Sequence, residues 1–233
     1  MFDSTAASKL LENGRKFPAT LYFHEKRVGG LSKPSKMPWY GWSISAYRCK
    51  TGSKLRKIEN SVCSKCYATS GRYAFGTVQN ALERRLECYD SDPAAWAASM
   101  VLLLEGKAKG QPKEFRWFDS GDVQSKEMAQ AIIWVAQQTP HIKHWVPTKE
   151  PGTWMEDGVH ELVASTPNLT VRVSAPMIGK RNSNKYFPTS SVGATGPFPL
   201  LDHKCPSKQQ DNKCGDCRAC WDRNIRNVDY QTQ

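Results

Sequence analysis

Four cysteines fall within residues 205–220, and three of them, Cys214, Cys217 and Cys220, recur at every third position. Thiols this dense seldom serve packing alone. A tetrahedral zinc site usually takes its cysteines as two separated pairs, approaching from two loops. A C-x2-C-x2-C run instead places three sulfurs on one tight loop, around a body larger than a single ion. That is the iron–sulfur pattern, and Cys205, followed by Pro206, supplies the remote fourth thiolate. The segment is therefore expected to hold a [4Fe–4S] cluster, with zinc or a disulfide pair as the rival readings. Whatever it holds, a cysteine-rich loop of this kind must be pinned to a folded scaffold.

A second set lies upstream. Cys49, Cys63 and Cys66 form C-x13-C-x2-C. Three cysteines can hold three irons of a [4Fe–4S] cluster and leave the fourth open to a substrate or to a cofactor such as S-adenosylmethionine. Alternatively a fourth ligand closes the site and the metal is structural. Cys88 is the obvious thiol for that role, but it falls on an expected helix spanning residues 76–89, where a lone cysteine more often acts as a small buried apolar side chain. The cysteines thus allow one cluster or two, with Cys49, Cys63, Cys66, Cys205, Cys214, Cys217 and Cys220 as the expected ligands.

Compartment and charge bear on both sites. No apolar run approaches the roughly 18 residues of a membrane span, and the first residues, MFDSTAASKLLENGRKF, lack the pattern of a signal peptide. The expectation is a cytoplasmic protein, where thiols stay reduced and eight cysteines favour metal over disulfides. The formal charge is +11, from 33 basic and 22 acidic residues. Two loaded clusters, each on four thiolates, would leave about +7. A basic excess of that size is either a solvated surface or an attraction to nucleic acid. The basic loops around Lys26, Arg27, Lys33 and Lys36, Lys50–Lys57 and Lys180–Lys185 are the candidate contacts. No membrane partner is expected, and the residues specify no substrate and no oligomeric state.

The rest of the chain alternates strand and helix. A short N-terminal helix is expected from Ala6 to Leu11, ending near Asn13-Gly14, then a loop-rich arm over 21–40. Alternating Trp42, Ile44 and Ala46 predict a strand running to Cys49. Asp92 and Pro93 mark a helix start, with the helix at Ala94–Glu105 and a stop at Gly106. Strands follow near Phe115–Phe118, His144–Thr148 and Asn168–Ser174, separated by helices near Ser125–Gln138 and Trp154–Ser165. Pro147 places the second of these strands near a sheet edge, or ends it. Residues 177–204, with the Gly193–Pro199 run, read as loop, and the tail beyond Trp221 as a short surface segment. This rhythm predicts an α/β fold with a mainly parallel sheet, shaped as a compact partial (β/α) barrel and carrying a cysteine-rich C-terminal segment. The expected organisation is an arm at 1–38, an α/β core at 39–200 and the cysteine-rich segment at 201–233. Polar strand ends present ligand sites in such folds, so Asp119, Asp122 and Thr148 are expected to line a cofactor pocket.

Several stretches in order, Ser43-Ile44-Ser45-Ala46, Cys49-Lys50-Thr51-Gly52-Ser53, Val62-Cys63-Ser64-Lys65-Cys66-Tyr67-Ala68, Phe118-Asp119-Ser120-Gly121-Asp122 and Cys214–Trp221, resemble the phage gene product 88 family over residues 40–222. That family is found in bacteriophages and bacterial genomes, which implies a protein of the host cell cytoplasm. Its pattern is similar to a reduced relative of the radical S-adenosylmethionine enzymes, partial (β/α) barrels with a three-cysteine cluster after the first strand. The resemblance implies that role for Cys49, Cys63 and Cys66, and an auxiliary one for Cys205, Cys214, Cys217 and Cys220. The thirteen-residue first gap, where those enzymes have three, is a departure. Three roles compete: an enzyme working at an open iron, a phage accessory protein that binds nucleic acid with its metals as staples, and a zinc-stapled structural protein.

Overall fold

The aromatic and β-branched residues of the strands find their partners in one sheet. The computed structural model describes residues 1–196 and 202–231. Its strands are β1 (Gly41–Trp42), β2 (Lys113–Trp117), β3 (Ile142–Thr148), β4 (Leu169–Ser174), β5 (Thr189–Val192), β6 (Asp202–Lys204) and β7 (Asn227–Tyr230). They lie in the order β1-β2-β3-β4-β5-β7-β6, with every neighbouring pair parallel. Five strands in chain order give the singly wound arrangement of a barrel, and among the described residues β1 and β6 are the two edges of the sheet. The expected α/β architecture with a parallel sheet is what the chain adopts.

The two faces of the sheet differ. On one, Trp42, Phe115, Trp117, His144 and Val171 pack beneath α5 (Pro93–Ala108) and α6 (Lys126–Gln138). Trp42, Trp96, Trp117 and Trp154 are fully buried. At about 25 cal/mol per Å² and roughly 150–250 Å² per ring, each contributes on the order of 4–6 kcal/mol of transfer free energy. The helix α5 starts as its residues dictate: the Asp92 side chain accepts from the Ala95 N–H at 2.9 Å and Pro93 opens the first turn. The other face carries the cysteine-rich segment. There Trp145 meets Trp221 edge-on with centroids 5.2 Å apart, beside Ala219, Cys220 and Val228.

Arg172 of β4 holds that segment down. The side chain is fully buried. Its Nη1 donates to the carbonyls of Thr189 and Ile225, at 2.8 and 3.1 Å, and its Nη2 to those of Ala219 and Asp222, at 3.1 and 2.9 Å. Beside it the Thr170 hydroxyl donates to the Trp221 carbonyl at 2.9 Å. Inward-facing polar residues of β4 therefore bond to the backbone of the segment that covers them.

Several expected boundaries move, each for a physical reason. Helix α1 spans Ser4–Lys16 and runs through Gly14, where an added Cβ would lie 2.5 Å from Leu102 Cδ1; the glycine lets α1 approach α5 rather than ending the helix. Gly106 behaves alike, since a Cβ there would meet Leu21 Cδ2 at 2.3 Å, and α5 runs on to Ala108 before Lys109 turns left-handed. Leu21 belongs to α2 (Leu21–Arg27), which replaces part of the expected arm and is capped by Thr20. The first strand stops at Trp42. Ser45 then caps a tight turn at Ala46–Arg48, so Ile44 and Ala46 are buried without strand pairing. Pro147 sits inside β3, a central strand. In that strand His144 directs its N–H toward β4, so Pro147 faces β2, whose pairing with β3 ends at Arg116–Trp145. The expected helix over 154–165 is split at Gly158 into α7 (Pro151–Met155) and α8 (Val159–Ala164).

The largest correction concerns residues expected as loop. They supply β5, β6 and β7, and the supposed tail is β7, inserted between β5 and β6. The strands β5 and β7 interlock through polar side chains: Thr189 donates to Asn227 at 3.0 Å, Asn227 to Ser191 at 2.9 Å, and Ser191 to Asp229 at 2.5 Å. Part of the Gly193–Pro199 run and the expected boundary at 200/201 lie outside the described residues.

Candidate metal centres at the carboxyl edge of the sheet

The first cysteine group forms just beyond the end of β1. Cys49 closes the turn after Ser45 and begins α3 (Lys50–Leu55). Gly52 lies under its thiol. A Cβ there would be 2.9 Å from Cys49 Cβ, 3.5 Å from Cys49 Sγ and 3.6 Å from Cys63 Sγ. Only glycine leaves that space free, and the two sulfurs face it from opposite chain segments. The Cys63–Cys66 turn is held by the Ser61 hydroxyl, which donates to the Leu55 carbonyl at 2.6 Å and accepts from the Ser64 N–H at 2.9 Å. The Val62 N–H donates to the Pro176 carbonyl at 2.8 Å, tying this turn to the chain beyond β4. Burial pushes the Cys49 thiol up to about 12, and the Asp122 carboxylate adds to the effect. Burial raises Cys63 as well, while Lys149 pulls against it.

The three polar residues expected to line a pocket lie beside this group. The Asp122 Oδ1 accepts from the Thr148 hydroxyl at 2.7 Å and from the Val123 N–H at 2.8 Å, and Oδ2 accepts from the Lys149 N–H at 2.7 Å. Burial nevertheless raises its pKa to about 6. Next to this latch, Glu150 accepts from the Thr51 N–H at 2.6 Å and its hydroxyl at 2.8 Å, joining the end of β3 to α3. Asp119 takes hydrogen bonds from the Ser43 hydroxyl and, at 2.7 Å, from the Tyr73 hydroxyl. Its backbone carbonyl takes one from Tyr67, the neighbour of Cys66. The Asp-Ser-Gly-Asp turn needs Gly121, at φ 80°, because a Cβ would strike Ile44 Cγ1 at 2.4 Å. Asp119 also forms part of a cleft of about 420 Å³ shared with Lys33, Arg72, Tyr73 and Arg85. A smaller cavity of about 250 Å³, around His160 and Phe187, lies at the opposite ends of β4 and β5.

The second group forms around the carboxyl ends of β6 and β7. The Cys205 N–H donates to the Asp229 carbonyl at 2.9 Å, extending the ladder. The Cys214 N–H donates to the Lys36 carbonyl at 3.0 Å, and its sulfur lies 3.9 Å from the Met37 thioether. The Cys217 sulfur is 3.2 Å from His203 Nε2, and the Cys220 sulfur 3.3 Å from the Tyr230 hydroxyl. Burial pushes Cys220 up to about 12 and raises Cys214, with the Arg116 charge opposing both. Cys205 and Cys217 each act electrostatically on Cys214, and Cys205 also on Cys220, so the four thiols form one neighbourhood.

The structure therefore brings the seven expected cysteines into groups of three and four, and leaves Cys88 elsewhere. That residue lies on α4 (Gly76–Ser91), the helix expected over 76–89, at the margin of the helix-covered core, with its sulfur 3.6 Å from the Lys26 carbonyl. All eight cysteines are free thiols. Among the described residues, no three His, Cys, Asp or Glu side chains converge tightly enough to hold a single metal ion. Reading the sequence missed His203, Tyr230 and Arg116. His203 alone carried a signal, lying two residues before Cys205.

Fold and thiols together define a cysteine-rich α/β protein with an all-parallel sheet. The chain belongs to the Gene product 88 family, whose model matches residues 6–223, and the name is that of a bacteriophage gene product. The match takes in α1 and α2, beyond the stretch that carried the resemblance. No curated protein and no solved structure matches it. Among the described residues, no helix is long and apolar enough to cross a membrane.

Proposed function

We propose that this phage protein binds iron–sulfur clusters, one on Cys205, Cys214, Cys217 and Cys220 and a second on Cys49, Cys63 and Cys66. The observation that carries the reading is the sorting of seven free thiols into these two groups at the carboxyl edge of a parallel sheet, where such folds hold their ligands. The donor set suits the group, since cysteine thiolates are the usual ligands of these clusters. A single zinc ion, with Zn–S bonds of about 2.3 Å, needs sulfurs about 4 Å apart, and among the described residues no three such side chains converge on one ion.

A bound cluster supplies one-electron chemistry and, with three cysteines, one iron position for a small ligand. The finer proposal, carried by the radical-enzyme resemblance, is that this ligand is S-adenosylmethionine, in the host cytoplasm, with Asp119, Asp122 and Thr148 beside it. The chain's own residues prepare the site: Gly52 keeps the space clear, and Asp122 with Thr148 fixes the strand ends next to Cys49. Electron paramagnetic resonance of the reduced protein tests the two-centre reading. Cys63→Ser should remove one signal and Cys217→Ser the other. Loss of both signals in either folded variant would reduce the two centres to one.

A second reading, nucleic-acid binding with structural metals, rests on the corner between α1 and α2. Phe17, Tyr22 and Phe23 are 66, 67 and 46% exposed, with Lys16, Lys26 and Arg27 over their rings. Aromatic rings interleaved with cations suit single-stranded nucleic acid. Its mark would be affinity that falls steeply with added salt and drops in Tyr22→Ala with Phe23→Ala.

A further inference from the structure

Two arginines point from the sheet into the face that carries the cysteine segment, and their hydrogen bonding differs sharply. Arg172 gives all of its Nη donors to four backbone carbonyls. Arg116, on β2, does not. Its Nη1 meets only the Met37 thioether at 3.7 Å, a weak acceptor, and its Nη2 only the Tyr67 hydroxyl at 3.5 Å. Its Nε, like that of Arg172, is sealed from solvent with no acceptor among the described residues. A guanidinium has five N–H groups, so three of them have no partner among the described residues.

No carboxylate pairs with it directly, although the Asp119 carboxylate acts on its charge from further away. Glu114, two residues away, pairs with Arg218 at 3.3 Å. The Asp119 carboxylate is engaged by Ser43 and Tyr73. Arg116 takes part in no ion pair within 4.0 Å among the described residues. One flat face is covered by Trp145, whose ring centroid is 4.7 Å from Cζ. That leaves the forked Nη edge as the part able to take a ligand. The edge lies between the two cysteine groups. Tyr67, which it touches, adjoins Cys66 and is still 43% exposed, and on the other side the Arg116 charge acts on Cys214 and Cys220.

A half-buried, permanently charged fork with open donors is the element that recognises carboxylate and phosphate groups. We propose that Arg116 anchors the oxyanion of a small molecule, a carboxylate or a phosphate, between the two thiol groups. The site depends on hydrogen-bond accounting and stands apart from what the thiols hold.

Isothermal titration of the intact protein tests it, with inorganic phosphate and acetate as probes and chloride at matched ionic strength as the reference. One of the two probes should bind saturably, phosphate pointing to a phosphate-bearing ligand and acetate to a carboxylate. Arg116→Met should weaken that binding at least about tenfold through the lost charge-assisted bonds, and Arg116→Lys, a point charge without a fork, should restore only part. No saturable binding by the wild-type protein overturns the proposal, as does unchanged binding by Arg116→Met. Metal content is measured alongside. A variant that keeps its metal and loses the anion supports the site. One that loses both makes Arg116 the counter-charge of a metal centre and overturns it.

Discussion

Replacing Arg172 with Met tests how the fold carries its cysteine segment. The buried guanidinium donates four hydrogen bonds, three of them to carbonyls of residues 219–225. Hydrogen bonds from a charged donor contribute about 1.5–3 kcal/mol each, a gross loss of about 6–12 kcal/mol. Part of this is offset, because the substitution also ends the cost of keeping a charge away from water. The carbonyls of Ala219 and Asp222 keep backbone partners at 3.3 Å. A net loss of about 3–5 kcal/mol is expected, which for a chain of this size lowers the melting temperature by roughly 6–20 °C. Urea unfolding followed by circular dichroism measures the loss, and bound metal is assayed on the same samples. Arg172→Lys should fare almost as badly, since one ammonium cannot serve four diverging carbonyls. A stability within 1 kcal/mol of wild type, with metal retained, would refute Arg172 as the clamp.

Three smaller perturbations follow from the same geometry. Gly52→Ala, which puts a methyl 2.9 Å from Cys49 Cβ and into the space facing two sulfurs, should lower metal content while far-ultraviolet circular dichroism stays unchanged; full metal content would contradict that use of the space. Gly106→Ala should cost about 1–3 kcal/mol by forcing α2 off α5, despite alanine's better helix propensity, and a stabilised variant would show that Leu21 yields freely. His144 gives a pH signature. Its Nδ1 accepts from the Trp117 indole at 3.2 Å, and the Thr139 hydroxyl, already donating to the Val135 carbonyl, accepts from Nε2 at 2.9 Å; the ring is held neutral, and burial lowers its pKa from 6.5 to about 3. The unfolded chain therefore takes the proton first, and wild-type stability should fall relative to His144→Phe by about 1.4 kcal/mol per pH unit between pH 6.5 and 3. Asp122, raised to about 6, has the opposite sign between pH 6 and 3.8 but is present in both proteins and cancels in the difference. Parallel urea midpoints across that range would exclude the effect.

The parts of this fold legible in the sequence are those where local chemistry and tertiary packing agree. Asp92-Pro93 starts α5, and Ser125 starts α6 with its side chain bonded to the Met128 N–H at 3.2 Å. The alternation of apolar strands with amphipathic helices announced a parallel sheet through β4. Legibility failed where the core is polar. Thr189-Ser190-Ser191-Val192 carries no apolar periodicity, because its partner β7 answers with Asn227 and Asp229 rather than with aliphatic side chains. It failed again where glycine serves close approach, as at Gly14 and Gly106, because a helix stop and a helix contact look alike in one dimension. The cysteines were legible as a set from spacing alone. Their surroundings were not: Arg116, Arg172, His203 and Tyr230 come from separate strands, and a lone arginine in a strand gives no sign that it will be buried.

The central claim concerns what the two thiol groups hold. Iron, acid-labile sulfide and zinc, measured per chain on protein purified without oxygen, address it most directly. The account predicts about eight irons with matching sulfide, for two [4Fe–4S] clusters. Zinc without sulfide would contradict it.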